Sequence, residues 1–155
     1  MTRRENAVPH IGPHVILDDP AFIHDTALLY GKVSIGKDAS IWPHVVTRAE
    51  VHGIDIGARS NIQDHVMIHV GLTSGTRIGE DCSITHRAVL HGCTLGARVL
   101  VGIGAIVMDG AKIGDNSIVA GNAIVTEGMR FPANSVIAGS PARLIKSVDH
   151  SVANV

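Results

Sequence analysis

The chain has 155 residues, enough for one domain with a core of its own. Its formal net charge is −1, with no basic run beyond Arg3 and Arg4, which argues against a nucleic-acid or membrane-surface protein. The opening MTRRENAVPHIGPH lacks the apolar core of a signal peptide, and no apolar run approaches the ~18 residues that span a bilayer, so a cytoplasmic protein is expected.

In chain order, residues 1–14 read as an N-terminal extension. From 15 to 140 aliphatic residues recur every six positions: Ile23, Leu29, Ile35, Ile41; Ile56, Ile62, Ile68; Ile78, Ile84, Leu90; Leu95, Val101, Val107, Ile113, Val119, Val125. Four residues after most of them stands a small or β-branched residue, such as Ala27, Ala39, Ser60, Cys82 or Ala105. Gly often follows the aliphatic residue directly, as in SIGKDAS and RIGEDCS. Six is a multiple of the strand period of two but not of 3.6, so each repeat turns the same parity inward only as a short strand. Aromatic residues are 3% and Gly is 17 of 155, which also suits close stacking of strands filled by small and β-branched side chains. The prediction is an all-β triangular solenoid, one hexad per side, with coils ~4.8 Å apart.

Two breaks interrupt the register. Thr47 to Ile56 has about three extra residues near AEVHG, and Ile68 to Ile78 has about four within VGLTSGTR. Insertions in a solenoid bulge from one face and often border the functional surface. After Pro141 the repeat stops, and residues 141–155 read as a tail forming at most a short capping helix.

Counting sides places the histidines. Leu90 lies one coil after Ile68, so His69 and His91, each following one of these, stack on one outward face where two imidazoles can share a metal. Arg48 falls beneath His69 in the same column. Asp64 and His86 form another column near a corner, pointing away from that face. His86 therefore reaches such a metal only from a neighbouring chain, and three prisms in cyclic symmetry give three equivalent shared sites. His52 and His65 are candidate proton shuttles. His10, His14, His24, His44 and His150 need no special role. Cys82 and Cys93 read as buried thiols, and Trp42 and Pro43 as packing residues.

IWPHVVTRAE, IGARSNIQDHVMIH, THRAVLHGC, VGIGAIVMDGAKIG and the ending AGSPARLIK resemble successive signatures of the γ-class carbonic anhydrases and their hexapeptide-repeat relatives, over residues 15–146. The resemblance implies a left-handed parallel β-helix and a homotrimer with no nucleic-acid or membrane partner. It implies that His69 and His91 of one subunit and His86 of the next hold Zn²⁺, with Fe²⁺ or Co²⁺ also suited to imidazole. Gln63 is then expected to contact the metal-bound hydroxide that hydrates CO₂ to bicarbonate, and Arg48 and Asp64 to pair across the subunit interface. Arg48-Ala49-Glu50 departs from the family's Arg-Gly-Asp, and Glu50 is a candidate catalytic acid. The loop after His69 has no acidic residue to carry protons away, which implies slow turnover. Three alternatives stand beside this reading: a metal-dependent thioesterase or other hydrolase, a hexapeptide acyltransferase using acyl-CoA, and a non-catalytic scaffold stabilised by its metal.

Overall fold

Residues 10–147 are described by the computed structural model. They wind into an all-strand, parallel β-solenoid of three faces, the left-handed β-helix. No helix among them is long and apolar enough to cross a membrane. The first face stacks Phe22–Ile23, Ser40–Ile41, Asn61–Ile62, Ser83–Ile84, Leu100–Val101, Ile118–Val119 and Ser135–Gly139. The second carries Met67–His69, Val89–His91, Ile106–Val107 and Ile124–Val125, and the third Thr76–Ile78, Thr94–Leu95, Lys112–Ile113 and Arg130–Phe131. Two longer strands, Leu28–Ile35 and Val46–Ile56, bend around the corner and belong to both the second and third faces.

The core is the hexad itself. Every aliphatic residue of the six-residue series is buried except Ile23, which lies in the first full coil and is partly buried against the core. The small residues four positions on are also buried, where a larger side chain would crowd the corner. The chain turns at its corners through single residues in the left-handed region, among them Asp38, His44, Arg59, His65, Asp81 and Arg87, with φ between 57° and 61°. The Ile-Gly pairs have a more local cause. Gly36, Gly57, Gly79, Gly96 and Gly114 follow the inward residue on the third face, where the next coil leaves no room for a Cβ. A Cβ on Gly79 would stand 2.4 Å from the Gly96 carbonyl oxygen.

The outward residues distinguish the faces. On the second, Leu28, Val46, Met67, Val89, Ile106 and Ile124 stack in register as an apolar ladder beside the histidine column. The corresponding ladder of the third face is polar, running through Ser34, Asp55, Arg77, Thr94 and Lys112. Trp42 does pack, but on the surface of the first face, with its ring 5.1 Å from that of Phe22.

Three details differ from the pattern read in the sequence. The insertion after Thr47 does not leave the sheet: it stays within Val46–Ile56, where the register against the previous coil jumps from Gly31↔Ala49 to Val33↔Ile54. The corner after His91 is one residue short, a third break beyond the two insertions; Leu95 faces inward as the series has it, and Gly92 turns the corner at φ 57°. Finally, the tail is not helical through Ser147. Ala142–Ser147 returns antiparallel against Ser135–Gly139, satisfying backbone groups that the last coil would otherwise leave open. Residues 148–155, the rest of the expected tail, and residues 1–9 of the expected extension lie outside the described residues.

A candidate metal centre

Strand pairing builds the site from the backbone outward. Arg48 pairs with His69, and His69 with His91, so the three lie in successive coils of the second face. Because their inward neighbours Thr47, Ile68 and Leu90 are fully buried, the parity of each strand turns these three side chains outward. His69 Nδ1 stands 2.9 Å from His91 Nε2, and the ring centroids are 4.8 Å apart. The outer nitrogens are engaged as well: His69 Nε2 lies 3.0 Å from Glu50 Oε2, and His91 Nδ1 lies 2.7 Å from Asp109 Oδ1.

Both insertions wall this pair. Residues 70–75 form a tight loop closed by the Gly71 N–H on the Ser74 carbonyl (2.8 Å), with the Thr76 hydroxyl donating to the His69 carbonyl. The inserted part of Val46–Ile56 meets it where His52 Nε2 donates to the Leu72 carbonyl at 3.1 Å. Between them opens a cleft of about 490 Å³, lined by Glu50, Val51, His69, Val70, Gly71, Leu72, His91 and Asp109. Leu72 and Val51 are 95% and 62% exposed at its rim.

The remaining predicted residues lie elsewhere. His86 occupies the corner between the first and second faces, its Nδ1 3.2 Å from Asp64 Oδ2. Gln63 precedes Asp64 on that edge, its main chain donating to Ile84 at 2.9 Å. Within one chain Asp64 thus serves His86, and Arg48 Nε pairs with Glu50 at 3.0 Å. Glu50 is drawn below the ordinary carboxylate range first by its own backbone N–H, with burial opposing and the His69 ring and the Arg48 guanidinium adding to the lowering. Among the described residues no third His, Cys, Asp or Glu completes a metal-binding group with His69 and His91. Of the suggested shuttles, His52 latches the loop and His65 stacks on His44, ring centroids 4.9 Å apart. Neither thiol is a ready nucleophile: both are buried, and burial pushes Cys93 up to about 12.

Asp109 is the site residue that sequence reasoning missed. Its signal was present in VMDG, one step past Met108, which continues the histidine column. Seeing it required knowing that the corner at Gly92 is short and bare. A Cβ at Gly92 would lie 2.1 Å from Asp109 Oδ1, and one at Gly71 2.4 Å from it.

Comparison with known proteins bears on fold and family. A model of the bacterial transferase hexapeptide, six repeats, matches residues 92–127. A crystal structure of a hexapeptide transferase family protein from Anaplasma phagocytophilum is 38% identical, covers 87% of this chain and 80% of its own, and superposes with a TM-score of 0.83. The chain belongs to the hexapeptide-repeat family. Within that family it is 44% identical over 108 residues to Protein YrdA of Escherichia coli K12, covering 65% of this chain and 55% of the relative. It is 40% identical over 100 residues to mitochondrial gamma carbonic anhydrase 2 of Arabidopsis thaliana, covering 61% of this chain and 36% of that protein. The chain thus spans between about a third and a half of the length of these curated relatives.

The histidine pair of this hexapeptide-repeat chain fits a divalent metal on its own chemistry. An ionised carboxylate only accepts hydrogen bonds, so the nitrogens facing Glu50 and Asp109 carry the protons. When both rings are neutral, that leaves lone pairs on His69 Nδ1 and His91 Nε2, which stand 2.9 Å apart. A proton on either nitrogen makes this contact a hydrogen bond, and a divalent cation between the two rings is the other way to hold them this close. Two nitrogens on a tetrahedral zinc, each ~2.0–2.1 Å away, stand about 3.3 Å apart, a few tenths of an ångström more than here.

Proposed function

We propose that this chain forms a homotrimer that hydrates carbon dioxide to bicarbonate with a divalent metal held by His69 and His91 of one copy and His86 of the next. The observation that carries the reading is the pair of imidazole nitrogens 2.9 Å apart on successive coils, each ring backed by a carboxylate. Zn²⁺ is the first choice, and Fe²⁺ and Co²⁺ suit the same nitrogens. Bound there, the ion supplies Lewis acidity that brings the pKa of a water near neutrality. Similarity to gamma carbonic anhydrase 2 supports the choice of substrate.

The chain's own groups divide the remaining work. Glu50 and Asp109 hold the two rings, and Arg48 holds Glu50. Gln63 and His86 lie on the same corner, so the copy that lends its histidine also brings an amide to orient the reacting water. Arg48 and Asp64 face one another across that junction. The apolar ladder from Leu28 to Ile124 is the surface against which the neighbouring copy packs, since it borders the histidine column for its whole length. Protons leave by way of buffer because the 70–75 loop offers no acid, and turnover is slow.

A second reading has its own support. The cleft is several times larger than CO₂ requires, and its rim of Val51 and Leu72 is apolar, as hydrolysis of a small ester or thioester by the same activated water would want.

Stopped-flow CO₂ hydration by protein loaded with Zn²⁺ or, anaerobically, Fe²⁺, over a range of buffer concentrations, decides between these. Metal-dependent turnover that rises with buffer is expected. His86→Ala is expected to lose metal, trimer and activity together. A trimer retaining full metal after that substitution overturns the shared site, and full occupancy without hydration overturns the substrate.

A further inference from the structure

We infer that each of the three histidines is held by a carboxylate of its own, Glu50 on His69, Asp109 on His91 and Asp64 on His86, so that the metal is bound by one Nδ1 and two Nε2 nitrogens. The inference deepens the metal reading above and rests on it. The three carboxylates are positioning residues: each touches a ligand's outer nitrogen and determines which nitrogen keeps a lone pair.

The geometry makes the rings unlike. Glu50 rises from the coil beneath His69 and meets Nε2 at 3.0 Å, leaving Nδ1 turned toward His91. Asp109 comes from the coil above His91 and meets Nδ1 at 2.7 Å, leaving Nε2 turned toward His69. On the corner, Asp64 lies 3.2 Å from Nδ1 of His86, which leaves Nε2 free for another copy. Neither Glu50 nor Asp109 is an incidental surface acid. Arg48 clamps Glu50 from the other side at 3.0 Å. Asp109 occupies a niche that exists only because residues 71 and 92 lack a Cβ, which would fall 2.4 and 2.1 Å from its Oδ1. Side-chain length matters as much as charge. One methylene less at position 50 withdraws the carboxylate by about one C–C bond, ~1.5 Å, beyond hydrogen-bond range of Nε2.

The test reads protons and metal rather than turnover. In zinc-loaded, ¹⁵N-labelled protein, long-range ¹H–¹⁵N correlation of the imidazoles is expected to place the remaining proton on Nε2 of His69 and on Nδ1 of His91 and His86. Competition with a chelator is expected to show zinc affinity lower by about 10–100-fold in Asp109→Asn and in Glu50→Asp, with unchanged melting of the metal-free proteins. Zinc bound through three Nε2 nitrogens overturns this inference alone. Unaltered affinity in both variants overturns the positioning role. Wild-type protein that takes up no zinc overturns both this inference and the proposed metal site.

Discussion

The glycines of the third face give a sharp test of how the coils are held. Gly79 has an ordinary backbone conformation, so alanine there is costly only through contact: its Cβ would lie 2.4 Å from the Gly96 oxygen, 2.5 Å from the Gly96 carbonyl carbon and 2.7 Å from the Ala97 nitrogen. All three are backbone atoms, and relief requires the corner to open by about 1 Å to reach van der Waals distance. The hydrogen bonds flanking the contact, from Gly79 N–H to Leu95 O at 3.0 Å and from Arg98 N–H to Glu80 O at 2.8 Å, would both be lost. At about 1 kcal/mol each, plus residual strain, the cost is about 2–3 kcal/mol, offset by ~0.4–1 kcal/mol from the stiffer unfolded chain. Gly128 is the control. Its φ is +69° and nothing lies within 4 Å of an added Cβ, so alanine there bears only the left-handed conformation, a net of about 1 kcal/mol or less. Thermal unfolding by circular dichroism, at one protein concentration, is expected to show Gly79→Ala lower in Tm by about 4–8 °C and Gly128→Ala by about half that or less. Equal losses in the two variants would refute the view that coil contact selects glycine on this face.

Other expectations concern chemistry. Gln63→Ala is expected to keep metal and trimer but lose most CO₂ hydration, and unchanged turnover removes Gln63 from the mechanism. Leu72→Glu places a carboxylate on the exposed tip of the loop; stopped-flow rates at low buffer are expected to rise while those at saturating buffer stay put. An acid limb of stability is expected from Asp81, whose carboxyl is drawn below its ordinary range by the hydrogen bonds of Arg59, with burial opposing and the charges of Arg59 and Arg98 assisting. A depressed folded-state pKa means that this stabilisation is complete above the unfolded value, about 3.9, and disappears as pH falls through the folded one. Arg59→Gln should flatten that limb in urea titrations between pH 5 and 2, and an unaltered limb would place the acid sensitivity elsewhere.

What the sequence determined by itself was the solenoid and its inward residues. Side-chain parity along a strand is a local property, so a period of six identifies the buried positions before any coil is built, and Ile62, Ile84 or Val101 needed no tertiary knowledge. Counting those positions also placed His69 above Arg48 and below His91. Only the tertiary structure decided what lies beside them. The lateral fit of one coil on the next depends on how many residues each corner uses, and Gly92 uses one fewer than the repeat predicts; that shift admits Asp109 against His91. Glu50 meets His69 through side-chain reach from an insertion that a period cannot register, and Asp64 turned to His86 within its own chain. The tail was misjudged for a related reason. ARLIKS has no strand pattern of its own, and it becomes a strand because the last coil presents an open edge to pair with.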